Sequence, residues 1–181
     1  IIVSRTAPKF LEELLELEIP EIQDGTIILK KVVRIPGEKA KIAVDAYDDR
    51  IDPVGACVGV KGSRIHGVVR ELRNENIDVI HWSKNPEILV KRALGNITIN
   101  KIEVNLETNY ALVYTPVDEI SKVIGKQGQN IKLASWLSGF EIDVYRETTD
   151  DDDVELVEFA DEIESWIIDE FKKVGLNTAR S

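Results

Sequence analysis

Two glycine pairs in the chain each bracket two residues and then lead into a helical pattern. They are Gly59-Val60-Lys61-Gly62 before Ser63-Arg64, and Gly125-Lys126-Gln127-Gly128 before Gln129-Asn130. A loop that turns the chain into a helix N-terminus presents unpaired backbone N–H groups at the positive end of the helix dipole, which favours an anion. Glycine has no Cβ to hold a ligand away, so a sugar-phosphate backbone can lie against such a loop. A cation inside or just after each loop adds attraction: Lys61 and Arg64 in the first copy, Lys126 and then Lys132 in the second. The chemistry on offer is the holding of phosphates. A bare Gly-x-x-Gly is weak evidence in a chain with 11 glycines, so the case rests on what surrounds the two copies.

The surroundings repeat. Thr6 and Pro8 open a helical pattern carrying Leu11, Leu14, Leu15 and Ile19, which Pro20 is expected to stop. Thr26–Arg34 and Lys41–Tyr47 read as a hairpin around Pro36-Gly37. Asp52-Pro53 is an N-cap with a first-turn proline, starting a short helix through Cys57. After the first loop, Ile65, Val68, Val69 and Leu72 fall at helical spacing, and Ile77–Trp82 is a strand. The order is α-β-β-α-α-β. It recurs from Asn85-Pro86: a helix ended by Gly95, strands Ile97–Glu107 and Tyr110–Thr115, a short helix Asp118–Ile124, the second loop, a helix Asn130–Ser138 with Gly139 after it, and a strand Phe140–Tyr145. Val58-Gly59-Val60-Lys61-Gly62-Ser63-Arg64-Ile65 aligns with Ile124-Gly125-Lys126-Gln127-Gly128-Gln129-Asn130-Ile131, and Ile77-Asp78-Val79 with Ile142-Asp143-Val144. Such duplication points to two small α/β (α+β) domains in tandem. The boundaries expected are 1–84 and 85–148, followed by an acidic linker and amphipathic helix at 149–181.

Charge supports that division. The 181 residues carry a net charge of −10, which alone looks hostile to nucleic acid. Residues 1–146 hold 20 Lys+Arg against 21 Asp+Glu, whereas residues 147–181 hold 3 against 12. Within the body, residues 50–101 carry 9 basic and 5 acidic side chains. The acidity belongs to the tail, where Asp150–Asp153 is a run of carboxylates and Leu156, Phe159, Ala160, Ile163, Trp166, Ile167 and Val174 form an apolar stripe at helical spacing.

Several function classes fall away. One cysteine, Cys57, and two histidines leave no disulfide framework and no Cys/His zinc cluster; the cysteine usage fits a reducing compartment, and a cytoplasmic location is expected. No apolar run approaches the roughly 20 residues of a membrane helix. His66 and His81 have no triad-like partners, no nucleotide-binding Gly-x-x-x-x-Gly-Lys is present, and Asp150–Asp153 lacks the pattern of a calcium loop. The chain is expected to be no enzyme and to need no cofactor or metal. Ile1-Ile2-Val3 without a methionine suggests a fragment of a longer protein.

The run from Asp52-Pro53-Val54-Gly55-Ala56-Cys57-Val58-Gly59 through Gly62-Ser63-Arg64-Ile65 and Val69-Arg70-Glu71-Leu72-Arg73 resembles the first KH domain of the bacterial NusA family of transcription factors. Ile124-Gly125-Lys126-Gln127-Gly128-Gln129-Asn130 with Leu133-Ala134 and Leu137-Ser138-Gly139 resembles the second. Ser4-Arg5-Thr6 with Phe10-Leu11, and Glu18-Ile19-Pro20-Glu21-Ile22 with Asp24-Gly25-Thr26, extend the similarity upstream, to cover about residues 1–146. The resemblance implies two type II KH folds, a GxxG clamp on single-stranded RNA, contact with RNA polymerase, and a role in elongation, pausing, termination and antitermination. The family's polymerase-binding N-terminal domain and OB-type domain have no counterpart in this sequence. The acidic tail is not a general family feature, although Lys173–Ala179 resembles the opening of a helix-hairpin-helix.

The RNA-binding residues expected are Gly59, Val60, Lys61, Gly62, Ser63 and Arg64 in the first domain, and Gly125, Lys126, Gln127, Gly128, Gln129 and Asn130 in the second. Arg70 and Arg73 are weaker candidates for phosphate contact and Trp82 for base stacking. Cys57 and Trp136 read as buried packing, and the histidines as structural or surface residues. A different class of function also fits a nearly neutral body: a protein-interaction scaffold that contacts polymerase or an antitermination factor.

Overall fold

The computed structural model describes residues 4–146. Pro8 supplies the first turn of α1 (Pro8–Glu18), which buries Leu11 and Leu15. The helix ends where Ile19 turns extended, but Pro20 does more than stop it. It opens a second short helix, α2 (Pro20–Gln23), because a residue with fixed φ and no N–H fits a first helical turn. Strands β1 (Ile27–Ile35) and β2 (Lys39–Ala46) pair antiparallel, with a register shift between Leu29 and Lys31. The Asp52 side chain accepts from the Val54 N–H and caps α3 (Pro53–Val58). The first glycine loop and α4 (Ser63–Glu71) follow, and β3 (Asn76–His81) then lies parallel to β2. A parallel return needs a crossover, and the glycine loop sits in the middle of it. The sheet order is β1-β2-β3.

The second unit has the same order of elements, except that among the described residues α2 has no counterpart in it. Asn85 accepts from the Glu87 and Ile88 N–H groups and caps α5 (Pro86–Leu94). After it come β4 (Lys101–Asn105), β5 (Tyr110–Thr115), α6 (Ile120–Ile124), the second glycine loop, α7 (Gln129–Ser138) and β6 (Glu141–Arg146), with sheet order β4-β5-β6. The first of these strands is shorter than the sequence pattern suggests. Ile97 and Ile99 pack on the second core from outside the strand, and the Thr98 carbonyl accepts from the buried Thr115 hydroxyl instead of a ladder partner. Mixed α/β architecture in two matching three-stranded units is the fold that the sequence led us to expect. The acidic run, the apolar stripe from Leu156 to Val174 and the Lys173–Ala179 segment lie outside the described residues. Among the described residues no helix is long and apolar enough to cross a membrane, and no group of three His, Cys, Asp or Glu side chains is placed to hold a metal.

The described residues as far as Tyr145 belong to one compact unit, and the first sheet explains why. Side chains alternate across a strand. Val32, Ile42, Val44 and Ile77 face a core shared with α1 and α4, whereas Val33, Ala43 and Ile80 face the opposite way. That second face is covered by Leu133, Ala134 and Leu137 of α7 and by Val90, Ala93 and Leu94 of α5. Helices of the second unit are therefore the outer wall of the first sheet, and Ala40–Val44 of β2 is buried without interruption. Arg92 adds a brace, donating to the carbonyls of His81 and Trp82 at 3.1 Å each across the short connection between the units.

One ion pair among the described residues is wholly inside. Arg34 donates to Glu75 at 2.9 and 2.7 Å, with side-chain exposures of 3% and 0%. The same guanidinium holds the carbonyls of Arg5 and Ala7, and Glu75 also accepts from the Gly37 N–H. Every polar group has a partner, which is what makes burial of two charges tolerable. Arg34→Met or Glu75→Leu alone leaves the other charge buried and unpaired, and each is expected to cost about 3–5 kcal/mol of stability. The double variant Arg34→Met/Glu75→Leu is expected to regain most of that loss. Urea unfolding of the three variants measures both effects.

Candidate nucleic-acid interface

The two glycine loops have the same backbone. Gly59 and Gly125 adopt φ/ψ of 75/172° and 72/177°, Lys61 and Gln127 both adopt 53/29°, and Gly62 and Gly128 adopt 78/13° and 72/11°. Three of the positions in each loop thus have positive φ, including one non-glycine residue that pays roughly 1 kcal/mol to be there. The cost recurs at the same place in two loops of different sequence. That makes it a requirement of the loop's shape, and strain of this kind concentrates at functional sites. The residues between the glycines point outward: Val60 is 83% exposed, and Lys61, Lys126 and Gln127 are exposed as well. Lys61 and Lys126 make no ion pair among the described residues. Each loop feeds directly into a helix of 9 or 10 residues, α4 or α7.

Two of the expected contact residues have another task. Arg64 donates to both oxygens of Glu21 at 2.9 Å and to the Ala56 carbonyl at 2.8 Å. Asn130, five residues after its own first glycine, is buried and donates to the carbonyls of Leu94, Lys122 and Val123 at 2.9, 3.3 and 3.1 Å. Both side chains reach back to carbonyls of the short helix before the loop, groups that a helix end leaves without partners. They fasten the loop from behind. Arg64 is therefore a neutralised cation; hydrogen bonding to its own backbone N–H and to Arg64 holds the Glu21 carboxyl below the usual carboxylate range. The packing also explains the first glycine. A Cβ on Gly59 would lie 2.9 Å from Arg64 Cγ, and one on Gly125 would lie 2.6 Å from Asn130 Cβ.

Other candidates are placed as follows. Ser63 is exposed at the start of α4, and Gln129 is half-buried, reaching Glu38 across the unit boundary at 3.4 Å. Arg70 and Arg73 are exposed, while Trp82 packs against the second core. Trp136 corrects the expectation of buried packing. It is 44% exposed, with the Lys132 ammonium 4.9 Å from the ring centre, because the opposite side of α7 is the one that meets the sheet. Cys57 is buried, and burial pushes its thiol up to about 11, leaving it neutral at physiological pH. His66 lies against the first loop, where a Cβ on Gly62 would be 2.9 Å from its Cε1.

Sequence reasoning missed a basic cleft between the units. An open volume of about 580 Å³ is lined by Lys39, Lys41, Asp78, Arg92, Lys122 and Lys126, among others. Its signal was two lysines at alternate positions of one strand, hence on one face. Lys41 is 1% exposed and bonds Asp78 at 2.7 Å, and Lys39 bonds the same carboxylate at 2.8 Å. Burial lowers the Lys41 pKa, with Asp78 opposing; burial raises that of Asp78, but the two lysines outweigh it and leave it lowered.

The loop geometry yields a stability test. At Gly125 an added Cβ meets both positive φ and Asn130, whereas at Gly128 it meets positive φ alone, with nothing within 4 Å. Gly125→Ala is expected to cost about 2–4 kcal/mol and Gly128→Ala about 1–2 kcal/mol. Denaturant midpoints of the two variants give the order.

Comparison with known proteins agrees with this geometry. The chain matches the NusA-like first KH domain over residues 5–82 and the NusA-like second KH domain over residues 86–152. It is 47% identical over 148 residues to the transcription termination/antitermination protein NusA of Halalkalibacterium halodurans, which covers 82% of this chain and 39% of that protein. The NusA proteins of Bacillus subtilis and Thermus thermophilus are 45% and 42% identical, over 82% and 78% of this chain and 40% and 37% of theirs. The chain thus spans about two fifths of the length of these relatives. Among solved structures, that of APE1850 superposes with a TM-score of 0.53 at 23% identity, over 72% of this chain and 96% of that one, and so shares the fold. With both KH matches in order and more than 40% identity to these relatives over about four fifths of its length, the chain belongs to the NusA-like family through its tandem KH domains.

Proposed function

We propose that this chain is a single-stranded RNA-binding module, its two KH domains at residues 1–84 and 85–148 each clamping the sugar-phosphate backbone at a glycine loop. Contact comes from Gly59, Val60, Lys61, Gly62 and Ser63 in one loop and from Gly125, Lys126, Gln127, Gly128 and Gln129 in the other. Bases lie along the adjoining helix and strand, and aromatic or apolar surface there tolerates many sequences. The observation that carries this reading is the identity of two strained, outward-facing loop backbones despite different side chains. The names of the relatives support a setting in transcription termination and antitermination; the reading takes nascent RNA as ligand, RNA polymerase and its factors as partners, action in elongation and pausing as well, and a cytoplasmic location. The module works by holding, without catalysis.

A scaffold function is the second reading, favoured by a tyrosine pair on the second sheet, where the half-buried Tyr114 ring and the exposed Tyr145 ring lie 6.0 Å apart. Protein binding there is expected to be insensitive to salt, whereas phosphate binding weakens steeply with it.

The clamp is tested by placing carboxylates where phosphates lie. Val60→Asp/Lys61→Asp and Lys126→Asp/Gln127→Asp are each expected to weaken binding of a single-stranded RNA by on the order of tenfold or more. Unfolding midpoints should stay nearly unchanged, since all four side chains are exposed and aspartate tolerates the left-handed position. Fluorescence anisotropy at fixed salt measures the affinities. A folded double variant with unaltered affinity would remove the assignment for that domain.

A further inference from the structure

We propose that the cleft between the two KH domains is a third anion seat, in which Lys39 and Lys126, backed by the charges of Lys41 and Arg92, hold one phosphate of the RNA as the strand crosses from the first domain to the second. This rests on the RNA reading above and adds to it a site outside both glycine loops. The reason is a charge imbalance at the cleft floor. Lys39 and Lys41 stand two residues apart on β2 and share the single carboxylate of Asp78, on the neighbouring strand, at 2.8 and 2.7 Å. Two ammonium groups and one carboxylate leave a net positive charge at the cleft floor, where Lys41 is buried and Lys39 is 24% exposed.

Nothing else lining the cleft corrects the imbalance. Arg92 is spent on two neutral carbonyls, and Lys122 has its carboxylate in Glu119. Lys126, on the loop side, makes no ion pair among the described residues. Among the described residues that line the cleft, Asp78 is the only carboxylate, against five cations. A partly buried positive excess facing an open cleft of about 580 Å³ is completed by an anion. The walls come from β2 and β3 on one side and from Gly125, Lys126 and Gln129 on the other, so the anion it suits best is one already being delivered to the second loop. A phosphodiester of the bound strand meets that condition. Free inorganic phosphate has the same chemistry, and the experiment separates the two sources.

The probe variant is Lys39→Gln, at a side chain 24% exposed that can lose its charge and leave Lys41 paired with Asp78. Two RNAs are titrated at several salt concentrations: one of about four nucleotides, enough for one clamp, and one of roughly ten to twelve that reaches both. The longer strand is expected to bind Lys39→Gln about three- to tenfold more weakly than wild type, with the slope of log K against log salt flatter by about 0.7. The shorter strand is expected to bind both proteins alike. An unchanged affinity and slope for the longer strand, in a protein whose Lys126→Gln variant does lose affinity, overturns the seat. Inorganic phosphate is titrated separately against the amide resonances of Lys39, Asn96 and Gly125. Saturable shifts that Lys39→Gln abolishes, without any effect of that variant on RNA, would assign the seat to the free ion and overturn the strand as its source. If the folded wild-type chain binds neither RNA, the RNA reading fails, and the crossing strand fails with it.

Discussion

The first sheet is buried on both faces, and the placement of both loops follows from that. A three-stranded sheet of this length cannot leave Val33, Ala43 and Ile80 in water beside a fully packed opposite face. Alpha helices of the following domain cover them, so the second domain completes the first. The connection is too short to let the units separate, and Arg92 ties the end of β3 to α5 across it. Two loops that could have been independent modules are fixed on one body. Binding the first end of a strand then raises the effective concentration of the other end at the second loop, without any new contact.

Within that frame the duplicated unit has kept a shape and changed the chemistry that maintains it. Both loops turn through three positive-φ positions, and both are fastened from behind by the residue five places after the first glycine. In one domain that residue is an arginine held by Glu21; in the other it is a buried asparagine serving three carbonyls. What is common is the need to satisfy the carbonyl end of a short helix while the chain reverses. The exposed pair between the glycines is free of that duty and differs between copies, Val-Lys against Lys-Gln. The cation is displaced by one position.

Much of the architecture was legible in the sequence because it is written locally. Pro8, Asp52-Pro53 and Asn85-Pro86 announce helix starts, Gly95 and Gly139 helix ends, and the repeat of α-β-β-α-α-β fixes the fold class. The glycine loops themselves were visible for the same reason. The rest depends on contacts between residues far apart in the chain. Arg64 reads as a free cation until Glu21 is placed beside it, 43 residues away. Asn130 reads as a loop donor until its helix is rotated against α5. The Lys39, Lys41 and Asp78 cluster requires the parallel register of β2 and β3, which no local pattern specifies. Trp136 was misjudged because periodicity tells which residues share a face of α7, not which face meets the sheet.

The most direct measurement of the central claim, that two clamps on one rigid body grip one strand, is affinity against RNA length. Single-stranded RNAs from about four to about twelve nucleotides, titrated at one salt concentration, should show a steep rise once the strand reaches both loops. We expect the longest to bind about a hundredfold more tightly than the shortest. A plateau from the shortest strand onward, with equal affinities for four and twelve nucleotides, would contradict the account.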